Sequence, residues 1–122
     1  MNTSARAVAL AAALLSFSAV ILAAMGSHLF DMKGMQGVWQ TASVIHLFSA
    51  GALFGLAALL ARLESRLLRW GTWLVVSGTV VFCGSIYLHV ITGTSVPAVT
   101  PAGGLLMMAG WLLAALAFIR RS

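Results

Sequence analysis

Charged side chains are scarce in this sequence. Seven Lys or Arg and two Asp or Glu make up 7% of its 122 residues, whereas soluble domains carry about 25% charged residues. So few charges could not cover a water-exposed surface, which excludes a soluble domain. With 61% hydrophobic residues and a mean hydropathy of +1.05, the sequence predicts an integral membrane protein. Its length suits a single membrane domain over residues 1–122.

Acidic residues and cysteine are also few. The two carboxylates, Asp31 and Glu64, lie outside the long apolar runs, and Glu64 stands among arginines. The sequence has no nucleophile elbow and no Gly-rich phosphate loop, so it predicts no catalytic residue and no enzyme. The single cysteine, Cys83, excludes an intramolecular disulfide framework.

The basic residues give a formal net charge of +5 and a pI near 11.3. They lie at the ends of apolar segments and do not form a stripe with aromatic residues, so they do not indicate nucleic-acid binding. Cations that flank membrane spans have this distribution. The predicted partners are therefore membrane lipids, together with a homo-oligomer or a larger membrane complex, and no nucleic acid.

Four segments have the roughly 20 mostly apolar residues that a spanning helix needs. Helices satisfy their backbone groups internally, as a bilayer requires, and these runs are too long and uniform for barrel strands. The sequence therefore predicts an all-α membrane protein, a bundle of four transmembrane helices. The helices are expected at about residues 5–26, 38–61, 68–91 and 101–119.

The basic residues also predict the orientation. Six of the seven share one side of a four-span topology: Arg6, Arg62, Arg66, Arg69, Arg120 and Arg121. Lys33 alone lies on the other side, so the positive-inside rule places both termini in the cytoplasm of a bacterial inner membrane. The first span resembles a signal peptide, but its apolar run exceeds the usual length of about 7–15 residues, and we interpret it as a retained span.

Small residues predict where the helices pack, because helices in lipid associate by close approach of their backbones. Gly51 and Gly55 form a GxxxG pair in the second span, for which a homodimer face is an alternative to packing within the chain. Gly103 and Gly104 follow Thr100-Pro101 at once, where either close helix packing or an anion at the exposed amides would explain them. The predicted packing residues are Gly51, Gly55, Gly71, Gly78, Gly110 and Ala114.

The histidines lie in the outer half of the predicted bundle. His46 lies about 12 Å into the second span at 1.5 Å per residue. Charging it at that depth would be costly, so we expect a neutral ring that is hydrogen-bonded inside the bundle. The candidate partners are Ser43, Ser49, Ser85 and Tyr87.

A metal or haem site is the alternative explanation of these histidines. His28, Asp31, His46 and His89 are the candidate metal ligands, and His46 with His89 would be the haem pair. No two of them form a short ligand motif such as HxxxH, and their depths differ. The sequence therefore predicts no metal and no cofactor.

Four sequence blocks, in order, resemble a known family. They are MGSHLF at 25–30, VIHLFSAGAL at 44–53, VFCGSIY at 81–87 and TPAGGLLMMAGW at 100–111. Together they are similar to the bacterial family called domain of unknown function 423, the YgdD-like small inner-membrane proteins. The resemblance implies several helices and no established activity. It favours an outer-half polar cluster of His28, His46, Ser85, Tyr87, Thr100, Gly103 and Gly104.

Three hypotheses for the function follow. The first is a non-enzymatic membrane protein whose outer-half polar cluster is structural or binds a small ligand or lipid. The second is an accessory or assembly subunit of a larger membrane complex. The third is a metal- or haem-binding membrane protein.

Overall fold

A computed structural model describes residues 2–28, 34–94 and 98–121, apart from the side chains of residues 27, 28 and 121. These ranges contain four helices: α1 Thr3–His28, α2 Gln36–Arg62, α3 Arg66–Thr92 and α4 Val99–Arg121. Even the shortest, with 23 residues, exceeds the roughly 20 residues that cross a bilayer. The prediction of an all-α membrane protein with four spanning helices is confirmed.

Polar side chains cap the starts of α1 and α3. Asn2 accepts the backbone N–H of Ala5 at 2.7 Å, and Ser65 accepts that of Leu68 at 3.1 Å. Such side-chain acceptors satisfy amides that have no partner within the helix. At its other end α3 closes on Gly93, whose φ of 76° is left-handed and suits glycine. The start of α1 and both ends of α3 therefore have capping residues, whereas α2 begins after Met35 with no side-chain cap. Each helix extends one or two residues beyond its predicted bounds.

The helices pack in chain order. Backbone contacts join α1 to α2, α2 to α3 and α3 to α4, with a smaller contact between α1 and α3. In the described ranges α4 makes no close backbone contact with α1 or α2. An apolar groove of about 670 Å³ therefore separates α2 from α4, and the rings of Phe48 and Trp111 meet across it with centroids 6.1 Å apart.

Glycines bring α3 and α4 into backbone contact. A Cβ added at Gly71 would lie 2.7 Å from the Gly110 carbonyl oxygen, and one at Gly110 would lie 2.6 Å from the Gly71 oxygen. A Cβ at Gly78 would lie 2.6 Å from the Met107 nitrogen. Real Cβ atoms do not come this close, so only glycine permits this packing. Ala114, one turn beyond Gly110, is buried in the same contact.

Gly51 and Gly55 do not pack within the chain, contrary to the prediction. Both are exposed, and a Cβ added at either would meet no atom of another described element within 4 Å. The reason is their position around α2. The buried side chains of this helix, such as His46 and Leu53, point to the opposite side, so the glycine pair faces outward.

The outward surface of the helices is apolar along most of its length. Phe17 on α1 is 68% exposed and Ile119 on α4 is 67% exposed. Large apolar side chains in such positions are stable in contact with lipid chains and would be costly in water. The outward surface therefore fits a bilayer.

Candidate functional site

His46 is the centre of a buried polar cluster that joins three helices. Its side chain is 3% exposed. Nδ1 lies 3.0 Å from the Tyr87 hydroxyl on α3, and Nε2 lies 3.1 Å from Ser18 Oγ on α1. The predicted partner Tyr87 therefore contacts His46, and the expected hydrogen bonding inside the bundle is present.

The contacts of this cluster fit a neutral imidazole with one N–H. When Ser18 donates its hydroxyl proton to the Leu15 carbonyl at 3.0 Å, its oxygen can accept from His46 Nε2–H. His46 Nδ1 can then accept the proton of the Tyr87 hydroxyl. This arrangement is a neutral imidazole with both nitrogens satisfied, as expected for a histidine in a bilayer.

Trp39 covers the cluster on the side nearer the start of α2. Its indole Nε1 donates to the Leu22 carbonyl of α1 at 3.1 Å, and its ring lies 4.7 Å from the Tyr87 ring, centroid to centroid. Gly26 has no side chain where the indole lies, because a Cβ there would overlap the Trp39 ring. Trp39 is therefore buried between helices, whereas a tryptophan at this height would more commonly lie among lipid headgroups.

Sequence reasoning missed Ser18 and Trp39 as members of the cluster. Ser18, Leu22 and Gly26 are spaced by four residues, which places them on one face of α1. This spacing is the only feature of the sequence that indicates the two missed residues. It shows that Ser18, Leu22 and Gly26 share a face of α1, but not that this face contacts α2.

Ser85 and Thr100 form a separate contact between α3 and α4. Ser85 donates to the Phe82 carbonyl at 2.9 Å, and its oxygen lies 2.5 Å from the Thr100 hydroxyl oxygen, so the two hydroxyls share a hydrogen bond. Ser85 and Tyr87 are two residues apart on α3, which turns their side chains by about 200° from each other. Among the described side chains of the predicted outer-half cluster, His46 with Tyr87 and Ser85 with Thr100 are thus two separate hydrogen-bonded pairs.

Gly103 and Gly104 lie against α3. A Cβ at Gly103 would overlap the backbone of Phe82, and one at Gly104 would lie 3.6 Å from the Phe82 ring. Close approach of α4 to α3 therefore accounts for Gly103 without a bound anion. At Gly104 the added contact would be of ordinary van der Waals length.

The remaining candidate ligands are dispersed. His89 Nδ1 donates to the Thr94 carbonyl at 3.1 Å, at the exposed end of α3. The side chain of His28 and all of Asp31 lie outside the described residues. Within the described part of the chain, no three His, Cys, Asp or Glu side chains stand close enough to hold a metal ion.

Comparison with known proteins identifies the family. Residues 22–104, from late α1 to the first turn of α4, match the family described as "Protein of unknown function (DUF423)". The chain belongs to the DUF423 family. This confirms the resemblance of the four sequence blocks.

Two DUF423 relatives share most of the chain. The UPF0382 inner membrane protein YgdD of Escherichia coli (strain K12) is 34% identical over 113 residues, 89% of this chain and 86% of the relative. The UPF0382 membrane protein YwdK of Bacillus subtilis (strain 168) is 30% identical over 109 residues, 81% and 89% of the two chains. No solved structure matches. With its four spanning helices, the chain is a multi-pass protein of the bacterial inner (cell) membrane.

Proposed function

We propose that this DUF423 protein is a non-catalytic membrane protein that works by lateral association, with α2 of one copy docked against α2 of a second copy. The observation that carries this proposal is the pair Gly51 and Gly55, which α2 presents on the side opposite to the rest of the chain. In this proposal the cluster around His46 is structural and holds α1, α2 and α3 together.

The hydrogen bonds of the polar cluster support a structural role. Both ring nitrogens of His46 have partners within the chain, and the Trp39 indole donates to α1. A ligand would have to break these bonds before it could form its own, and a buried polar group that loses its partner costs about 1–3 kcal/mol. The polar atoms of His46 and Trp39 are therefore not available to another molecule without the loss of these bonds.

The outer face of α2 supports docking of a helix. Gly51, Gly55 and Ala58 share this face and are all exposed. Small residues in such a row let two backbones approach within van der Waals contact in lipid. Gly71 and Gly110 already serve this way between α3 and α4. A second copy fits as the occupant because two identical faces are self-complementary about a two-fold axis.

A paired substitution tests the association without disturbing the protomer. Gly51→Leu with Gly55→Leu should weaken self-association by about tenfold or more, about 1.4 kcal/mol, because the added side chains hold the helices apart. The fold should persist, since the added side chains point away from the chain. Energy transfer between two differently labelled copies in liposomes measures the association.

Gly84→Leu is the matched control, because Gly84 on α3 is also exposed and has equally open surroundings. We expect wild-type energy transfer in this variant. Equal transfer in the Gly51/Gly55 variant, or an equal loss in Gly84→Leu, would overturn the proposal. Stable capture of a different membrane protein at this face, with no self-association, would favour an accessory subunit instead.

We further propose that both termini face the cytoplasm, because six of the seven basic residues lie at the end of the bundle that holds the termini. In a Cys83→Ala background, a cysteine at Thr94 should react with a membrane-impermeant maleimide in intact spheroplasts. A cysteine at Ser122 should react only after lysis. The reverse pattern would contradict this orientation.

A further inference from the structure

A polar cavity lies at the end of the bundle where α1 begins and α2 turns into α3. Its volume is about 540 Å³, and its lining includes Thr3, Ser4, Glu64, Arg66 and Arg69. Two arginines and one carboxylate give this lining a net charge of +1. The cavity is separate from the His46 cluster and from the Gly51–Gly55 face, so a ligand bound there would not depend on the proposed self-association.

Local hydrogen bonds hold the walls of the cavity in place. Asn2 donates its side-chain Nδ2–H to the Leu60 carbonyl at 2.8 Å, which joins the start of α1 to the end of α2. Ser65 caps α3 through the Leu68 amide. Two capping side chains in the lining are thus engaged, and the arginines of the first turn of α3 remain exposed.

The same two arginines border a second groove, which also has an aromatic wall. This groove, of about 390 Å³, is lined by Arg66, Arg69, Trp70 and Trp73. Trp70 is 62% exposed. Tryptophan favours the height of the lipid headgroups, where its apolar ring and its polar N–H are both satisfied. Arg66 and Arg69 therefore stand between a polar cavity and an aromatic groove.

We propose that this pair of spaces binds one anionic phospholipid, with its phosphate at Arg66 and Arg69 and its glycerol and acyl region along Trp70 and Trp73. Guanidinium groups form paired hydrogen bonds to phosphate oxygens. Basic pockets between spanning helices bind anionic headgroups. A free phosphate ion would bind the same two arginines but would gain nothing from the tryptophans. A contribution of the tryptophans to binding therefore distinguishes a phospholipid headgroup from a free phosphate ion.

Native mass spectrometry of delipidated protein in mild detergent tests the proposal. The probes are phosphatidylglycerol, zwitterionic phosphatidylcholine and inorganic phosphate. Arg66→Gln with Arg69→Gln should weaken phosphatidylglycerol binding about thirtyfold, at about one kcal/mol per arginine. Trp70→Ala should weaken the binding of phosphatidylglycerol and leave that of inorganic phosphate unchanged.

Arg62→Gln with Arg120→Gln is the matched control, because it removes two charges at the same end of the bundle from residues that line neither space. It should bind phosphatidylglycerol like the wild type, and circular dichroism should show equal helix content in all variants. An equal loss in this control would show diffuse attraction and overturn the site. Equally tight phosphatidylcholine binding, or full displacement of the lipid by an equal concentration of phosphate, would also overturn it.

Discussion

Gly110→Ala should destabilise the four-helix fold by about 2–3 kcal/mol, the upper part of the range for overpacked interiors. The added methyl group would lie 2.6 Å from the Gly71 oxygen and 2.8 Å from the Val75 nitrogen. Both are backbone atoms of α3, so no side-chain rotation can relieve the contact. The helices have to separate, and α4 makes close backbone contact with no other described helix.

Denaturation in mixed micelles, followed by circular dichroism, measures this effect. Gly84→Ala is the control, because it adds the same methyl group on α3 where the surroundings are open. This variant should equal the wild type or gain up to about 1 kcal/mol from the higher helix propensity of alanine. If Gly110→Ala were as stable as the wild type, the backbones of α3 and α4 would not be in contact at Gly110.

His46→Ala should lower the free energy of unfolding by about 2–3 kcal/mol. The substitution removes two hydrogen bonds and leaves the Tyr87 hydroxyl without its partner on α2. Hydrogen bonds within membrane proteins are worth about 0.6 kcal/mol on average and about 1.7 at most. The lost ring also leaves a cavity beside Tyr87, which adds to the loss.

Ser49→Ala is a matched test on the same face of α2, one turn from His46. Ser49 is fully buried, and its hydroxyl has no hydrogen-bond partner among the described residues. Removal of the Ser49 hydroxyl should leave the free energy of unfolding unchanged or raise it, because no bond is lost.

If His46→Ala left the free energy of unfolding unchanged but lost a bound small molecule, this would contradict a structural role of the cluster.

The existence of the four helices could be predicted because each corresponds to a long apolar run. An apolar segment of this length in a bilayer forms a spanning helix. Their ends lie one or two residues beyond the predicted bounds, because caps such as Ser65 and Gly93 are polar or small residues outside the apolar runs. The family resemblance was likewise visible in four ordered blocks. Because the DUF423 family has no described activity, the proposed function depends on the packing and exposure of the helices.

The contacts of the small residues could not be predicted from their spacing. Gly51 and Gly55 form the stronger sequence motif, yet they face outward, whereas Gly71 and Gly110 meet across a helix pair. Spacing shows that residues share a face of a helix, but the rotation of that helix depends on the whole packing. For the same reason the partnership of His46 with Tyr87 was foreseen among several candidates, and that with Ser18 was not.

Cysteine cross-linking in native membranes tests whether the outer face of α2 is an interface between copies. In a Cys83→Ala background, Gly51→Cys is compared with Ser77→Cys. Both positions are exposed, and each lies eleven residues from the end of its helix at the α2–α3 turn. They therefore share a depth in the membrane.

Disulfide formation needs Cβ atoms about 3.5–4.5 Å apart. Mild oxidation should yield a dimer from Gly51→Cys and none from Ser77→Cys. A monomer from Gly51→Cys under conditions that cross-link Ser77→Cys would rule out α2 as the interface.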